Sequence, residues 1–248
     1  MTFHIITLFP ESFDSYTASS IIGRALCDGK IKIKFYNPRD FTKDKHRRVD
    51  QKPYGGGPGM VLEPLSVIKA VEAALKSTKS KARNSKQIHK SKILNPKSLV
   101  IWLSPSGKQF DNDYAEKAAK KYSDIIFICG RYEGIDERVF KVAKERWKEA
   151  KIEKITVGPF VVTGGELPAM IILDTISRRI PGVLGKIESV EENRVSASAV
   201  YTRPEVFTYP SGKLNAGKSK KYSVPKILLS GHHAKIDEWK LNKGSTKK

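Results

Sequence analysis

The sequence predicts an α/β fold, a mostly parallel sheet with helices on both faces. Short continuous apolar runs, "LVIWLS" (99–104) and "DIIFICG" (124–130), read as strands buried on both sides. Segments with apolar residues at helical spacing alternate with strand-like runs. The runs end in loops of Gly, Pro and polar residues, where ligands sit in such sheets.

The elements follow in order. "FHIITLF" (3–9) and "IKIKFYN" (31–37) read as strands, with a helix over 11–26 between them. "EPLSVIKAVEAALKS" (63–77) spaces Leu65, Ile68, Val71 and Leu75 on one helical face. After the 99–104 strand come a polar helix over 111–121, the 124–130 strand and a helix over 136–147. "IEKITVG" (152–158) and "FVV" (160–162) read as strands, and 165–180 as a helix entered through Gly-Gly. Strand-end loops at 104–107, 129–134 and 157–166 are placed to meet in one site.

The 248 residues suit one large domain with a small appendage. Domain 1–185 holds the sheet, 186–200 is a linker, and 201–248 is a small C-terminal part. Residues 76–98 and 211–223, rich in Lys and Ser, read as flexible basic segments without assigned structure. The first is a candidate for phosphate contacts, or a solubilising loop.

Forty-six Lys and Arg against 26 Asp and Glu give a net charge of +20. That balance points to a polyanion, and with no long basic amphipathic helix nucleic acid is favoured over membrane. No run of about 18 apolar residues suggests a membrane span. The N-terminus reads as a first strand rather than a signal peptide. Cys27 and Cys129 are too few for a disulfide framework or a zinc site, which suits a reducing cytoplasm.

Common nucleotide motifs are absent. "GRALCDGK" (23–30) has one residue too many between its glycines for a phosphate loop, and Ile31 follows its lysine. "YGGGPGM" (54–60) does not fit G-x-G-x-x-G. The five histidines form no metal pattern, and no G-x-S-x-G elbow occurs.

What remains is a set of longer strings: "PYGGGPGM", "LSPSG", "CGRYEGIDER", "GGELPAMIILDTISRRIPGVLG", "YTRP" and "VPKILLSGHHAKIDEWK". In that order, over nearly the whole chain, they resemble the bacterial tRNA (guanine-N1)-methyltransferase family, TrmD, of the SPOUT superfamily. The resemblance implies a homodimer, a C-terminal deep trefoil knot in the sheet domain, and a small mainly helical C-terminal domain that contacts tRNA. It implies S-adenosylmethionine as methyl donor and methylation of N1 of the guanosine immediately 3′ of the anticodon. It admits Mg²⁺, with Glu133 a nearby carboxylate, though no ligand set is visible.

Carried over by position, the resemblance places the cofactor on three loops. They hold Ser104 and Pro105; Gly130, Arg131, Tyr132 and Glu133; and Thr156, Val157, Phe160, Val162, Gly164, Gly165 and Pro168. Asp50, Tyr54, Gly55, Gly59 and Arg203 fall at substrate positions. Arg178 falls at the catalytic arginine. Removing the N1 proton pushes negative charge onto O6 of guanine, which an arginine would stabilise as an oxyanion hole does.

Three departures stand out. The family's general base is an aspartate four residues after a serine in the linker; counting from Ser189 puts Asn193 there. An amide cannot take a proton at neutral pH. Pro159 stands where the family has an acid, and the chain ends soon after "DEWK", short of the family's final helices. Three readings of the base stay open. Glu191 or Glu192 takes the role; or Arg178 suffices at a reduced rate; or the protein binds tRNA and cofactor with weak or no methyl transfer.

Overall fold

The computed structural model describes residues 1–84, 98–185, 199–210 and 219–244. The chain divides into two compact units, Met1–Gly185 and Lys186–Lys248.

In the first unit five strands form one sheet: β1 (Thr2–Ile6), β2 (Lys32–Tyr36), β5 (Ser98–Gln109), β6 (Asp124–Ile128) and β7 (Ala150–Thr156). Their order is β2-β1-β6-β5-β7, and every pairing is parallel. A short antiparallel pair, β3 (Asp50–Gln51) and β4 (Val61–Leu62), flanks the glycine-rich stretch.

Alternation along the strands explains the continuous apolar runs. Leu99, Ile101, Ile125 and Phe127 join one core cluster with residues of α2 (Ser20–Cys27), α4 (Asn112–Lys121) and α6 (Glu166–Ser177). Val100, Trp102, Ile126 and Ile128 join a second with α3 (Pro64–Asn84) and α5 (Arg138–Arg146). Helices therefore cover both faces. A polar cluster is buried at this level: His4 Nε2 lies 3.1 Å from Asp124 Oδ1 on β6, and Nδ1 lies 3.0 Å from the Tyr36 hydroxyl on β2. That triad ties three adjacent strands.

Several expectations need correction. Residues 11–26 form a 3₁₀ turn at Pro10–Phe13, α1 (Asp14–Thr17) and α2, instead of one helix. Thr17 and Ser19 hydroxyls donate to the carbonyls of Phe13 and Ser15, and Ser20 has a positive φ of 50°. Such back-bonding competes with a regular helix. Helix α3 runs on to Asn84, so the first part of the 76–98 segment is helical; 85–97 lie outside the described residues. Residues 160–162 are not a strand.

The strand after α3 is longer than its apolar run. β5 continues through "SPSG" to Gln109, with a bulge: both Leu103 and Lys108 align with Ile155 of β7. A Cβ on Gly107 would lie 2.4 Å from the backbone nitrogen of Ile155, so only glycine lets the two chains touch there.

In the second unit β8 (Val206–Pro210) and β9 (Ser219–Ser223) form an antiparallel hairpin, followed by α7 (Lys226–Leu229) and α8 (His233–Gly244). Part of the 211–223 segment is thus a strand; 211–218 lie outside the described residues.

Candidate active site

The carboxyl ends of β6, β5 and β7 lie side by side, and the loops leaving them enclose a cleft of about 240 Å³. That is just under the ~300–1,000 Å³ usual for small-molecule sites. From β5 come Ser104 and Pro105. From β6 come Gly130, Arg131, Tyr132 and Glu133. The segment after β7 adds Thr156, Val157, Phe160, Val162, Gly164, Gly165 and Pro168. All the residues expected at the cofactor line this one cleft.

The loop after β7 makes an unusual traverse. The chain leaves β7 at Thr156, yet Gly165 N–H donates to Gly130 O at 2.9 Å and Gly164 bridges Arg131. Since β5 lies between β7 and β6, residues 157–165 must cross the end of β5. Close approach at the landing point requires glycine. A Cβ on Gly165 would stand 2.5 Å from Cys129 Cα.

Sequence reasoning missed the group that fixes this landing. Glu166, first residue of α6 and 3% exposed, accepts a hydrogen bond from the Thr7 hydroxyl at 2.7 Å. Its other oxygen forms an ion pair with Arg131 Nε at 3.0 Å, and the Arg131 guanidinium lies 4.5 Å from the centre of the Phe9 ring. A side chain on Gly164 would stand 2.5 Å from both charged partners. The "GGE" string carried this signal: two glycines followed by an acid at a helix start. Tyr132, in the same loop, holds a positive φ of 58°, a strained state that clusters at functional sites.

Cys129 lies behind the cleft, fully buried. Burial pushes its thiol well up, the Glu166 charge adds to this, and Arg131 opposes it. Cys27 is exposed. A thiol reagent should therefore modify one cysteine in the folded protein and two in denaturant, with mass mapping placing the first label on Cys27. Fast labelling of Cys129 in the native state would contradict this environment.

The glycine-rich stretch abuts the cleft. Gly55, Gly56, Gly57 and Gly59 all have positive φ between 81° and 105°, which side chains rarely adopt, so the hairpin between β3 and β4 depends on them. Glu133 N–H donates to Met60 O at 3.0 Å, and a Cβ on Gly59 would stand 2.5 Å from the Glu133 carboxylate. Asp50 sits on β3, and Tyr54 is fully exposed. The adjoining turn is pinned by Arg138, which donates to both Asp136 oxygens and holds that carboxyl below its usual range.

Of the remaining expected residues, only Arg178 is a described residue of the first unit. Arg178 caps the far end of α6, ten residues beyond Pro168 of the cleft, about 15 Å along the helix at ~1.5 Å per residue. Arg203 belongs to the second unit. Glu191, Glu192 and Asn193 lie outside the described residues. Among the described residues no group of three or more His, Cys, Asp or Glu could hold a metal, and no helix is long and apolar enough to cross a membrane. A larger groove of about 490 Å³ near Phe41, Lys69 and Trp147 is reached by none of the glycine-rich loops.

Helix α6 is apolar on nearly every side, yet Leu167 and Ile171 are 55% and 47% exposed. With Asp174 and Arg178 they follow i, i+4, i+7 and i+11 along one face. Tyr16 donates a short hydrogen bond to Asp174 on that face, and its own pKa is raised to about 12 by burial and by the aspartate. Phe160 and Val161 at the cleft are 54% and 80% exposed.

Comparison with known proteins gives a consistent result. A family model described as "tRNA (Guanine-1)-methyltransferase TrmD" matches residues 1–248. A tRNA (guanine-N(1)-)-methyltransferase of Pseudoalteromonas atlantica is 41% identical over 243 residues, covering 96% of this chain and 78% of its own length. Its namesake from Clostridioides difficile is 41% identical over 244 residues, covering 97% and 90%. That from Colwellia psychrerythraea is 41% identical over 241 residues, covering 95% and 84%.

Proposed function

Because the chain belongs to the tRNA (guanine-1)-methyltransferase family, we propose that it transfers a methyl group from S-adenosylmethionine to N1 of the guanosine immediately 3′ of the anticodon of tRNA. The protein is a tRNA (guanine-N1)-methyltransferase. The observation that carries the cofactor reading is that every loop residue expected at the donor lines one cleft. The relatives named above are enzymes, and nothing described supports a binding protein without activity.

The residues fit the donor. Backbone N–H and C=O groups at the strand ends can hold an adenine, and glycines at 164 and 165 let the loop after β7 pack directly on the end of β6 and on the Arg131–Glu166 pair, where a Cβ would clash. Val157, Phe160 and Pro168 offer apolar surface to a flat ring. S-adenosylmethionine supplies an electrophilic methyl group when bound. Arg131, held by Glu166 and Phe9, keeps the floor in place. The glycine hairpin offers bare backbone against which the target guanosine can lie, with Asp50 and Tyr54 beside it. Arg203 in the second unit contacts the substrate. Arg178 stabilises the charge on guanine O6 as the N1 proton leaves, and Glu191 or Glu192 accepts that proton. Glu133 is the one carboxylate lining the cleft, and among the described residues no set of side chains around it would hold Mg²⁺.

The working unit is a homodimer. Arg178 stands about 15 Å along α6 from Pro168 in the cleft of its own chain, and the exposed Leu167–Ile171 face of α6 suits a second copy. Residues 157–165 crossing the end of β5 suit a sheet closed by a deep trefoil knot. Its place is the cytoplasm, with its tRNA substrate.

A single-turnover assay with methyl-labelled S-adenosylmethionine tests this. Transcripts carrying guanosine after the anticodon should be labelled at N1, and those carrying adenosine should not. Absence of transfer by the unaltered chain would sink the proposal. Replacing Glu191 and Glu192 together by Gln should slow transfer about 10²–10⁴-fold if they supply the base. Unchanged transfer would rule out Glu191 and Glu192 as the base and leave the N1 proton to solvent, with Arg178 stabilising the charge on O6.

A further inference from the structure

The second unit carries an aromatic face that the methyl-transfer site does not use. In the β8–β9 hairpin Phe207 stands opposite Tyr222, and Tyr209 opposite Lys220. Opposed residues share a face, and alternate residues along a strand return to it. Phe207, Tyr209, Tyr222 and Lys220 therefore occupy one face of the hairpin.

The rings touch without stacking on each other. The Phe207 centroid lies 6.1 Å from that of Tyr209 and 6.5 Å from that of Tyr222, with interplanar angles of 41° and 34°. Lys220 Nζ lies 5.4 Å from the Tyr222 ring centre. The three side chains are 53%, 59% and 49% exposed. A ring cluster that only held the hairpin together would be expected to cover itself better. Here about half of each ring surface remains for another planar group.

The charge around the rings narrows the choice of partner. Among the described residues of this stretch, 206–210 and 219–226, there are Lys220, Lys221 and Lys226 and no Asp or Glu. Aromatic rings interleaved with lysines and free of acids match single-stranded nucleic acid, whose bases stack while its phosphates meet the cations. A protein-binding face is also rich in aromatic rings but is depleted in Lys, which here stands beside them.

We propose that this hairpin face is a base-stacking platform for unpaired nucleotides of the tRNA. Phe207, Tyr209 and Tyr222 take bases on their rings, and Lys220 with its neighbours takes the adjoining phosphates. The inference rests on the reading of tRNA as substrate, and it adds a second binding area to it.

The full chain is titrated with tRNA at several salt concentrations, beside variants. Phe207→Leu, Tyr209→Leu and Tyr222→Leu together keep apolar bulk and remove the π faces. They should weaken binding at least about tenfold, the loss of one stacked base, and leave the salt slope unchanged. Lys220→Ala should instead flatten the slope by about 0.7, the share of the one phosphate left without its cation. Tyr209→Phe with Tyr222→Phe keeps the rings and should bind as the unaltered chain does. A 2-aminopurine in a tRNA loop should be quenched by the unaltered chain and not by the triple leucine variant. Leucine variants that bind equally well, or phenylalanine variants that bind as poorly as they do, overturn the platform. So does a change of oligomeric state in the leucine variants, which would make the face an interface between copies. Methylation by the unaltered chain is measured alongside. If it proceeds while the leucine variants bind normally, only the platform fails; if the unaltered chain neither binds nor methylates tRNA, both readings fail.

Discussion

Gly165→Val should abolish S-adenosylmethionine binding and lower the melting temperature. The backbone at Gly165, φ −76°, suits any residue, so the requirement is for space. Its Cβ would lie 2.5 Å from Cys129 Cα and 3.0 Å from Gly130 N, backbone atoms that cannot swing aside. The end of β6 and the start of α6 would have to part. That breaks the hydrogen bond from Gly165 to Gly130 and moves Glu166 away from Thr7 and Arg131. Overpacking of this kind costs about 1–3 kcal/mol, and a unit of this size loses about 2–4 °C per kcal/mol. Gly185→Ala, where a Cβ would meet nothing within 4 Å, should leave the melting temperature unchanged. Calorimetry with and without the donor measures both effects. Donor affinity intact in Gly165→Val would mean that the cleft is not the donor site.

Arg178→Ala should lower kcat by about 10²–10³-fold, the cost typical of losing one oxyanion donor. Donor affinity should hold, since the arginine's expected partner is guanine O6 and not the donor. The distance of Arg178 from its own cleft carries a second expectation. If each cleft is completed by the other chain's Arg178, mixing Arg178→Ala with Gly165→Val makes dimers with one intact cleft facing one intact arginine. Activity should reappear in the mixture although each variant alone is inactive. Mixed dimers that form and stay inactive would place arginine and cleft in separate roles.

Much of this was legible in the sequence because both faces of the sheet are buried. Leu99 to Leu103 and Ile125 to Ile128 had to be apolar on every residue, and that continuity is what marks such strands. The cleft loops were readable because glycine and proline mark them. The bulge at Ser104–Gly107 was not, since it is defined by the register of β7 and only the paired strand reveals it. The hairpin at 206–223 was hidden by Lys and Ser composition; the alternation of Phe207 and Tyr209 was its one local sign. Glu166 looked like an ordinary first-turn acid, because its partners Thr7 and Arg131 are distant in sequence. Arg178 carried no local mark of its role, which in the proposed dimer depends on a surface beyond its own chain.

The order of strands also sets a timetable for synthesis. β1 is made first but lies inside the sheet, and His4 waits for Asp124 on β6, 120 residues later. At ~5–20 residues per second the ribosome takes roughly 6–24 s to supply it. During that interval β1 can pair only with β2, leaving one apolar edge open. A nascent chain stalled before residue 124 should therefore be protease-sensitive and bound by chaperones, and one stalled well beyond it should not.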